Sequence, residues 1–330
     1  MIYEMKNVFL SQYQMFMFIL FLTLFMGISS NSFLGIWMSM EINLIIIIPL
    51  MSTNEKKNVE KSMMIYFLIQ SISSLMAIFS CLMSMNNEMY NMNNFMSFTM
   101  MISMMGKLGV FPFHMWILTM LESLSWNTCF YMLTFQKILP LLTLFLMMQE
   151  TTLILFSLMN SVFAAIGGLT FFSIRKILVF SSMNHLSLML FTIILSKKLL
   201  KIYFTVYIIM NMVIMQFFYK TNLSFLFQIF KNKKDKLSLF MILTVFFSLM
   251  GIPPFLGFMP KMMVIMKLMQ NDWLYISFMI ILLNVVSSFF YLRITLSSLL
   301  ISFIKNKMKS KKVSSMSFLI IIFSPIVIFF

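Results

Sequence analysis

The stretch KLGVFPFH at residues 107–114 has a counterpart in GIPPFLGFMPK at residues 251–261. In both, a glycine is followed by valine or isoleucine and then, after one more residue, by proline and phenylalanine; a lysine lies nearby in each case. Because proline lacks a backbone donor and clashes with the preceding turn, each stretch should interrupt a helix. Paired interruptions in two halves of an apolar chain are typical of inverted-repeat transport folds. Proline and glycine are also frequent in membrane helices generally, which is the simpler explanation.

The composition around these stretches predicts a membrane protein. Of the 330 residues, 61% are hydrophobic and 10% are charged, and the mean hydropathy is +0.97. An average soluble domain carries about 25% charged residues. A chain of this length cannot hide so much apolar surface, which excludes a soluble globular fold, and the same surface excludes disorder.

Eleven apolar windows of roughly 20 residues predict about eleven transmembrane helices, with ten to twelve as the range. Helices are expected because only helices or closed barrels satisfy backbone polar groups in lipid, and these runs do not alternate as barrel strands do. The windows are Val8–Gly27, Asn31–Met51, Ser62–Met85, Phe95–Trp116, Trp126–Met148, Thr152–Phe172, Ile177–Ser196, Leu200–Tyr219, Leu237–Leu256, Trp273–Leu299 and Met316–Phe330.

Charge and cysteine usage exclude several classes of function. The net charge is +15, but the lysines lie mostly in short connections between apolar windows, so they indicate orientation against lipid head groups and not a nucleic-acid partner. Most of these lysines fall on the side of the N-terminus, which is therefore predicted to face the cytoplasm-like side.

The two cysteines exclude further classes of site. Cys81 and Cys129 form no CxxC pair, which argues against haem attachment, iron–sulfur clusters and a disulfide framework.

Five titratable side chains are predicted to lie inside spans, where a charge costs roughly 2.5–3.5 kcal/mol. They should therefore be paired, hydrated or neutral. Desolvation favours the neutral form of a buried lysine and a nearby carboxylate favours the charged form, so a row of such groups can relay protons. Glu41 is the only acid deep in a span and is predicted to be the counter-charge of a lysine. The five are Glu41, Lys107, Lys137, His185 and Lys261.

Plainer explanations apply to some titratable residues. Lys220, Lys267 and Arg293 lie near span ends, where long side chains extend to the interface. His185 could be a core histidine bonded to Ser181 or Ser182, and interfacial solvation would explain His114. No cluster with metal-ligand spacing and no hydrolase arrangement is present within the spans.

Five strings resemble one known family, in the order found there. They are WMSMEIN at 37–43, KLGVFPFHMW at 107–116, QKILP at 136–140, SSMNHLS at 181–187 and GIPPFLGFMPK at 251–261. Together they are similar to subunit 2 of mitochondrial NADH:ubiquinone oxidoreductase, respiratory complex I. This group belongs to the antiporter-like subunits, which are shared with multisubunit sodium/proton antiporters.

The resemblance implies an all-α polytopic fold with an antiporter-like inverted repeat and discontinuous helices around Gly109–Pro112 and Gly251–Pro260. It implies a single transmembrane domain whose repeat halves cover about 1–150 and 151–300, followed by the span at 316–330. It also implies a proton axis along the membrane arm, in which His114 and His185 assist four charged residues, Glu41, Lys107, Lys137 and Lys261.

The same resemblance implies partners and location. Electrons pass only through other subunits, so NADH, FMN, iron–sulfur clusters and ubiquinone are expected there, with no cofactor or metal on this chain. The expected partners are other complex I subunits, especially neighbouring antiporter-like and small membrane subunits, together with phospholipids and without nucleic acid. The expected location is the mitochondrial inner membrane, as a multi-pass protein with its N-terminus on the matrix side.

Two other functions remain open from the sequence. A stand-alone cation/proton antiporter of the same fold would need a coordination site, for which Glu41 is the only deep acid. A purely structural assembly subunit would have dispensable lysines inside its spans.

Overall fold

The computed structural model describes residues 2–52, 59–85, 90–147, 149–225, 228 and 236–304. Across these ranges the chain is helical and contains no strand; one isolated antiparallel bridge joins Ser173 to Phe225. The all-helical class predicted from the sequence is therefore confirmed. The chain divides into two compact units, Met1–Leu153 and Ile154–Phe330.

The first unit is built from long helices and from short ones that follow interruptions. The helix α3 packs against α2, α4 and α5, and α7 packs against α1, α2 and α4. Its helices are α1 (Ile2–Ser29), α2 (Phe33–Ser52), α3 (Val59–Met85), α4 (Tyr90–Leu108), α5 (Met115–Ser123), α6 (Trp126–Leu133), a 3₁₀ turn (Phe135–Lys137) and α7 (Ile138–Leu146).

The second unit is arranged around one buried helix. Helix α9 packs against α10, α12 and α13, and 94% of its apolar window is buried. A helix that is apolar on most faces needs such a position. The helices of this part are α8 (Glu150–Thr170, whose first turn lies in the first unit), α9 (Ile174–Leu195), α10 (Lys197–Thr221), α11 (Lys236–Met250), α12 (Phe258–Gln270) and α13 (Leu274–Ile304).

Length and composition make several of these helices suitable for crossing a membrane. Among the described residues, seven stretches qualify, and Tyr13–Ser29 and Phe95–Leu108 are shorter apolar helices. The seven are Phe33–Ser52, Val59–Ser84, Trp126–Leu146, Glu150–Thr170, Ile174–Leu195, Lys197–Thr221 and Leu274–Leu296. The predicted span Met316–Phe330 and many of the lysine-bearing connections lie outside the described residues, so the count of eleven and the N-terminal orientation stay predictions.

The chain leaves helical geometry at the two glycines singled out in the sequence. Helix α4 ends at Leu108, and Gly109 has φ +65°, a left-handed conformation that favours glycine. The N–H of Gly109 donates to Gly106 O at 3.2 Å and the N–H of Val110 donates to Met105 O at 3.0 Å, which is the pattern of a Schellman cap. Glycine, and not Pro112, ends this helix, because proline acts only after the chain has already turned.

The end of α11 repeats this geometry. Gly251 has φ +79° and directly follows the last helical residue, Met250. Its N–H donates to Phe247 O and Ser248 O, both at 3.2 Å, and the N–H of Ile252 reaches Phe247 O at 3.4 Å. Helical geometry resumes only at Phe258, so the carbonyls at the end of α11 are open to other donors.

A third interruption was not predicted from the sequence, which gave one continuous helix over Trp126–Met148. The structure instead places a 3₁₀ turn at Phe135–Lys137 between α6 and α7. Thr134 precedes it with φ −118° and ψ −71°, and its hydroxyl donates back to Phe130 O at 2.7 Å. Pro140 explains the position, because its ring would clash with the carbonyl four residues earlier, at Gln136, in a continuous helix.

We expect Gly109→Ala to destabilise the protein by about 1–2 kcal/mol, because alanine is strained at this φ. The new Cβ would also lie 2.0 Å from Ile117 Cδ1. Gly106→Ala is the matched control, since its Cβ would meet only Ser73 Cβ at an ordinary 3.6 Å. Thermal melting of the purified protein in detergent measures the difference; equal melting temperatures for the two variants would contradict the assignment of Gly109 as the cap.

Candidate functional site

An ion pair between a buried lysine and a partly exposed carboxylate lies at the end of α4. Lys107, in the last turn of α4, has its Nζ 3.5 Å from Oε1 of Glu41, which lies near the middle of α2, and 3.9 Å from the sulfur of Met40. The side chain of Lys107 is 4% exposed and that of Glu41 is 26% exposed. A cation is also favoured near the carboxyl end of a helix. The carboxylate thus supplies the counter-charge that the sequence argument assigned to it.

Polar side chains from several elements surround this pair. Gln70 of α3 donates from Nε2 to Lys107 O at 3.3 Å, and the hydroxyl of Tyr66 donates to Gln136 Oε1 at 3.2 Å. They line a cavity of about 10 Å³ together with Asn43 and Lys107. A cavity of that size has room for about one water molecule. Sequence analysis missed Tyr66 and Gln70, which stand four residues apart on one helix face.

Lys137 occupies a different electrostatic position in the same unit. It is 2% exposed, ends the 3₁₀ turn and is the N-cap residue of α7. The amino end of a helix carries partial positive charge, which is unfavourable for a cation. Its neighbour Gln136 lines the cavity beside Lys107.

Lys261 is held by backbone oxygens. It lies in the first turn of α12, is 6% exposed, and donates from Nζ to Leu249 O at 2.8 Å and Met250 O at 3.0 Å. These are carbonyls at the open end of α11. A Cβ on Gly251 would lie 3.0 Å from Cδ of Lys261, so glycine at this position also makes room for the lysine stem.

His185 contacts two tyrosines of α10. It lies near the middle of α9, with Nδ1 2.9 Å from the hydroxyl of Tyr203 and its ring centroid 5.4 Å from that of Tyr207. The hydroxyls of Ser181 and Ser182 donate to Leu178 O and Val179 O. The signal that could have found the two tyrosines is the spacing of four between them, which places them on one face of α10.

His114 lies in the connection between α4 and α5. It immediately precedes α5, is half-buried, and its ring centroid is 5.8 Å from that of Phe111. The structure therefore places it in the same interruption as Gly109, outside a regular helix.

Of the predicted site residues, Glu41 and Lys107 are in direct contact, and Lys137 belongs to the same unit. His185 and Lys261 belong to the second unit, where α9 packs against α12.

Two buried polar contacts and one basic residue were not anticipated. Asn184 donates from Nδ2 to Asn284 Oδ1 and to Ser287 Oγ, both at 3.1 Å. Arg293 was expected to reach the interface, but its guanidinium donates to Leu169 O at 2.8 Å and Phe171 O at 2.5 Å. It thereby satisfies carbonyls at the end of α8, a role that depends on helix packing and cannot be seen in local sequence.

A metal site is not evident in the described part of the chain, which contains no group of three or more His, Cys, Asp or Glu side chains close enough to hold an ion. Its buried titratable groups include the amines of Lys107, Lys137 and Lys261, the imidazole of His185 and several tyrosine hydroxyls, and the partly exposed carboxylate of Glu41 lies beside Lys107. Such groups bind and release protons.

The comparison with known proteins identifies the family. A family model described as "NADH:quinone oxidoreductase/Mrp antiporter, TM" matches residues 30–291. The chain is 34% identical over 301 residues to "NADH-ubiquinone oxidoreductase chain 2" of Locusta migratoria, covering 90% of this chain and 86% of that protein. This chain belongs to the NADH-ubiquinone oxidoreductase chain 2 family. A second member, from Anopheles gambiae, is 35% identical over 303 residues and covers 88% of each chain.

A solved structure agrees with the fold of the chain 2 family. A chain of "Respiratory complex I from Thermus thermophilus with bound Aureothin" superposes with a TM-score of 0.77 at 17% identity, covering 87% of this chain and 70% of that one. At this identity the likeness concerns the fold. Membership of the chain 2 family confirms the resemblance recognised in the five sequence strings.

We expect Arg293→Leu to destabilise the protein by about 1.5–3 kcal/mol, since hydrogen bonds to charged groups are worth about that much and carbonyls at the end of α8 would lose their donor. Lys267→Leu is the control, because this lysine of α12 is exposed. Chemical or thermal unfolding in detergent compares the two. A loss of stability no larger than that of the Lys267→Leu control would show that the guanidinium of Arg293 does not stabilise the end of α8.

Proposed function

We propose that this chain is a proton-translocating membrane-arm subunit of respiratory complex I in the mitochondrial inner membrane. Family membership supports the assignment to NADH:ubiquinone oxidoreductase. In this proposal the electron transfer from NADH to ubiquinone takes place in other subunits, which carry FMN and the iron–sulfur clusters. The observation that carries the proposal is the ion pair of Glu41 and Lys107, in which the lysine is buried where α4 ends.

The pair gives a way to couple proton movement to a conformational change. Two opposite charges about 4 Å apart attract by roughly 4 kcal/mol at an effective dielectric constant of 20. While Glu41 stays close, its carboxylate stabilises the charged form of Lys107. When Glu41 moves away, the ammonium loses this stabilisation and can release the proton to a neighbouring acceptor. No redox group is needed on this chain for that step.

We assign the other buried groups as further carriers. Lys137 accepts the proton in the first unit, whereas Lys261 and His185 act in the second, and His114 assists near the interruption of α4. The burial of the three lysines supports this, because buried cations in membrane spans need a reason to be kept. The carbonyls that bind Lys261 can stabilise it while it carries a proton.

The finer architecture belongs to the same proposal. It comprises about eleven spans, an inverted repeat with discontinuous helices at Gly109 and Gly251, and an N-terminus on the matrix side. The repeated Schellman caps followed by short helices support the two discontinuities. Neighbouring antiporter-like and small membrane subunits, with phospholipids, would cover the apolar side chains that the isolated chain exposes, such as Phe25 and Phe289.

Replacing Lys107 or Lys137 by methionine tests the function directly. We expect proton pumping coupled to NADH oxidation to fall by roughly tenfold or more, because a required acid–base group is lost. The measurement is NADH-driven acidification in vesicles containing the assembled complex, and Lys267→Met is the control. Unchanged pumping would favour a structural subunit. Sodium transport by the chain purified alone would favour an antiporter.

The carboxylate has its own test. Glu41→Gln keeps the shape of the side chain but removes the charge facing Lys107, so we expect the pumping rate to fall while assembly is retained. Glu60→Gln, at an exposed position at the start of α3, is the matched control. Equal pumping by the two variants in the same vesicle assay would remove Glu41 from the mechanism.

A further inference from the structure

Helix α3 packs against both of the helices that carry the ion pair. One of them is α2, which contains Glu41, and the other is α4, which ends one residue after Lys107. Each of these two contacts includes a hydrogen bond from a side chain to a backbone carbonyl. Because a backbone carbonyl moves only together with its helix, such bonds tie the positions of whole helices to each other.

The first of these bonds holds the end of α4. The cap at Gly109 uses the carbonyls of Met105 and Gly106, and the next carbonyl, that of Lys107, loses its intrahelical partner where the helix stops. Gln70 supplies the missing donor, with Nε2 3.3 Å from Lys107 O. Gln70 is buried, so its amide in turn needs a protein partner. The backbone of the lysine is therefore tied to α3.

The second bond holds α2. Trp37 donates from Nε1 to Ser74 O at 3.3 Å. Ser74 is buried within α3, and a carbonyl oxygen has two lone pairs, so it can accept from the indole in addition to its helical donor. Trp37 comes four residues before Glu41, which places the two on one face of α2. The backbone of the glutamate is thus tied to α3 as well.

Both bonds end on one face of α3, because Gln70 and Ser74 are also four residues apart. A closed loop results. It runs from Glu41 through Trp37, Ser74 and Gln70 to Lys107 and returns across the ion pair, whose charged atoms are 3.5 Å apart. The loop fixes the distance between the two backbones from which the charged side chains extend.

We propose that Trp37 and Gln70 are positioning residues that set the separation of Glu41 and Lys107 by tying both helices to one face of α3. Two long side chains lose conformational entropy when they pair, and fixed backbones reduce this cost. The consequence for pumping rests on the proposed function, in which the carboxylate controls the charge of the lysine.

The infrared spectrum of the full-length chain, purified in detergent, tests the arrangement without reference to pumping. The carboxylate stretching band of Glu41 is identified as the band that Glu41→Gln removes, and its frequency depends on the hydrogen bond from the ammonium. Gln70→Met removes the amide at similar volume, and Trp37→Phe removes the indole donor but keeps an aromatic ring. The band should shift in both variants, because either change releases one helix from α3.

Matched controls remove the same chemical groups elsewhere. Gln216→Met, at an exposed position of α10, and Trp273→Phe, immediately before α13, should leave the band of Glu41 unchanged. An unshifted band in Gln70→Met or in Trp37→Phe overturns the positioning role of the residue replaced.

Proton pumping shows whether the arrangement acts through the ion pair. In vesicles containing the assembled complex, Gln70→Met should lower NADH-driven pumping by roughly fivefold, the factor by which loss of one neutral hydrogen bond lowers the population of the paired geometry. In a complex that already carries Glu41→Gln, the same change should cause no further loss, since no carboxylate remains to be positioned. Losses that multiply would show that Gln70 acts independently of the carboxylate. Trp37→Phe, measured in the same way, decides if Gln70→Met does not assemble.

The two measurements separate this inference from the proposed function. A shifted band together with normal pumping by Lys107→Met keeps the positioning role and overturns the relay. An unshifted band together with lost pumping by Lys107→Met overturns the positioning role and keeps the relay.

Discussion

An ammonium group can be buried among apolar helices only where oxygen atoms replace the water it has lost. This chain meets that requirement by ending helices beside its lysines. Lys107 lies in the last turn of α4 and reaches the carboxylate of Glu41. Lys261 reaches two carbonyls that α11 leaves open where it stops. The residues four positions further on, Pro253 and Pro254, have no N–H to donate to these oxygens, so the two prolines leave both carbonyls open for the lysine.

The same constraint gives the lysines of the first unit unequal surroundings. Lys107 has a counter-ion and the favourable end of a helix dipole, whereas Lys137 sits at the unfavourable amino end of α7. A proton shared between them should rest on Lys107. In the relay proposed above, moving it to Lys137 would need an input of free energy, which loss of the Glu41 contact would supply. A driven relay requires such an asymmetry, because two equivalent sites would exchange protons in both directions without control.

The sequence predicted much of this arrangement, and the parts it missed have identifiable physical causes. Apolar windows located the helices, and the cost of buried charge singled out Glu41 and the three lysines. The sequence pattern predicted that proline interrupts these helices. The positive φ of Gly109 and Gly251 shows instead that glycine ends both of them. The tyrosine that binds His185 and the carbonyls that bind Arg293 come from other helices. Such partners depend on packing, which local periodicity does not encode.

The interruption before α7 differs, because its signal, Pro140, is present in the local sequence. A proline at position 140 excludes a normal helical bond to the carbonyl of Gln136, so a continuous helix across residues 126–148 carried a built-in conflict. The chain resolves it with Thr134, whose hydroxyl bonds back to Phe130 O, and with a short 3₁₀ turn. That solution places a short 3₁₀ turn, whose hydrogen bonds are poorer than those of an α-helix, at Gln136 and Lys137. The same turn makes Lys137 the N-cap residue of α7, so the conflict introduced by Pro140 also decides at which end of a helix this buried lysine lies.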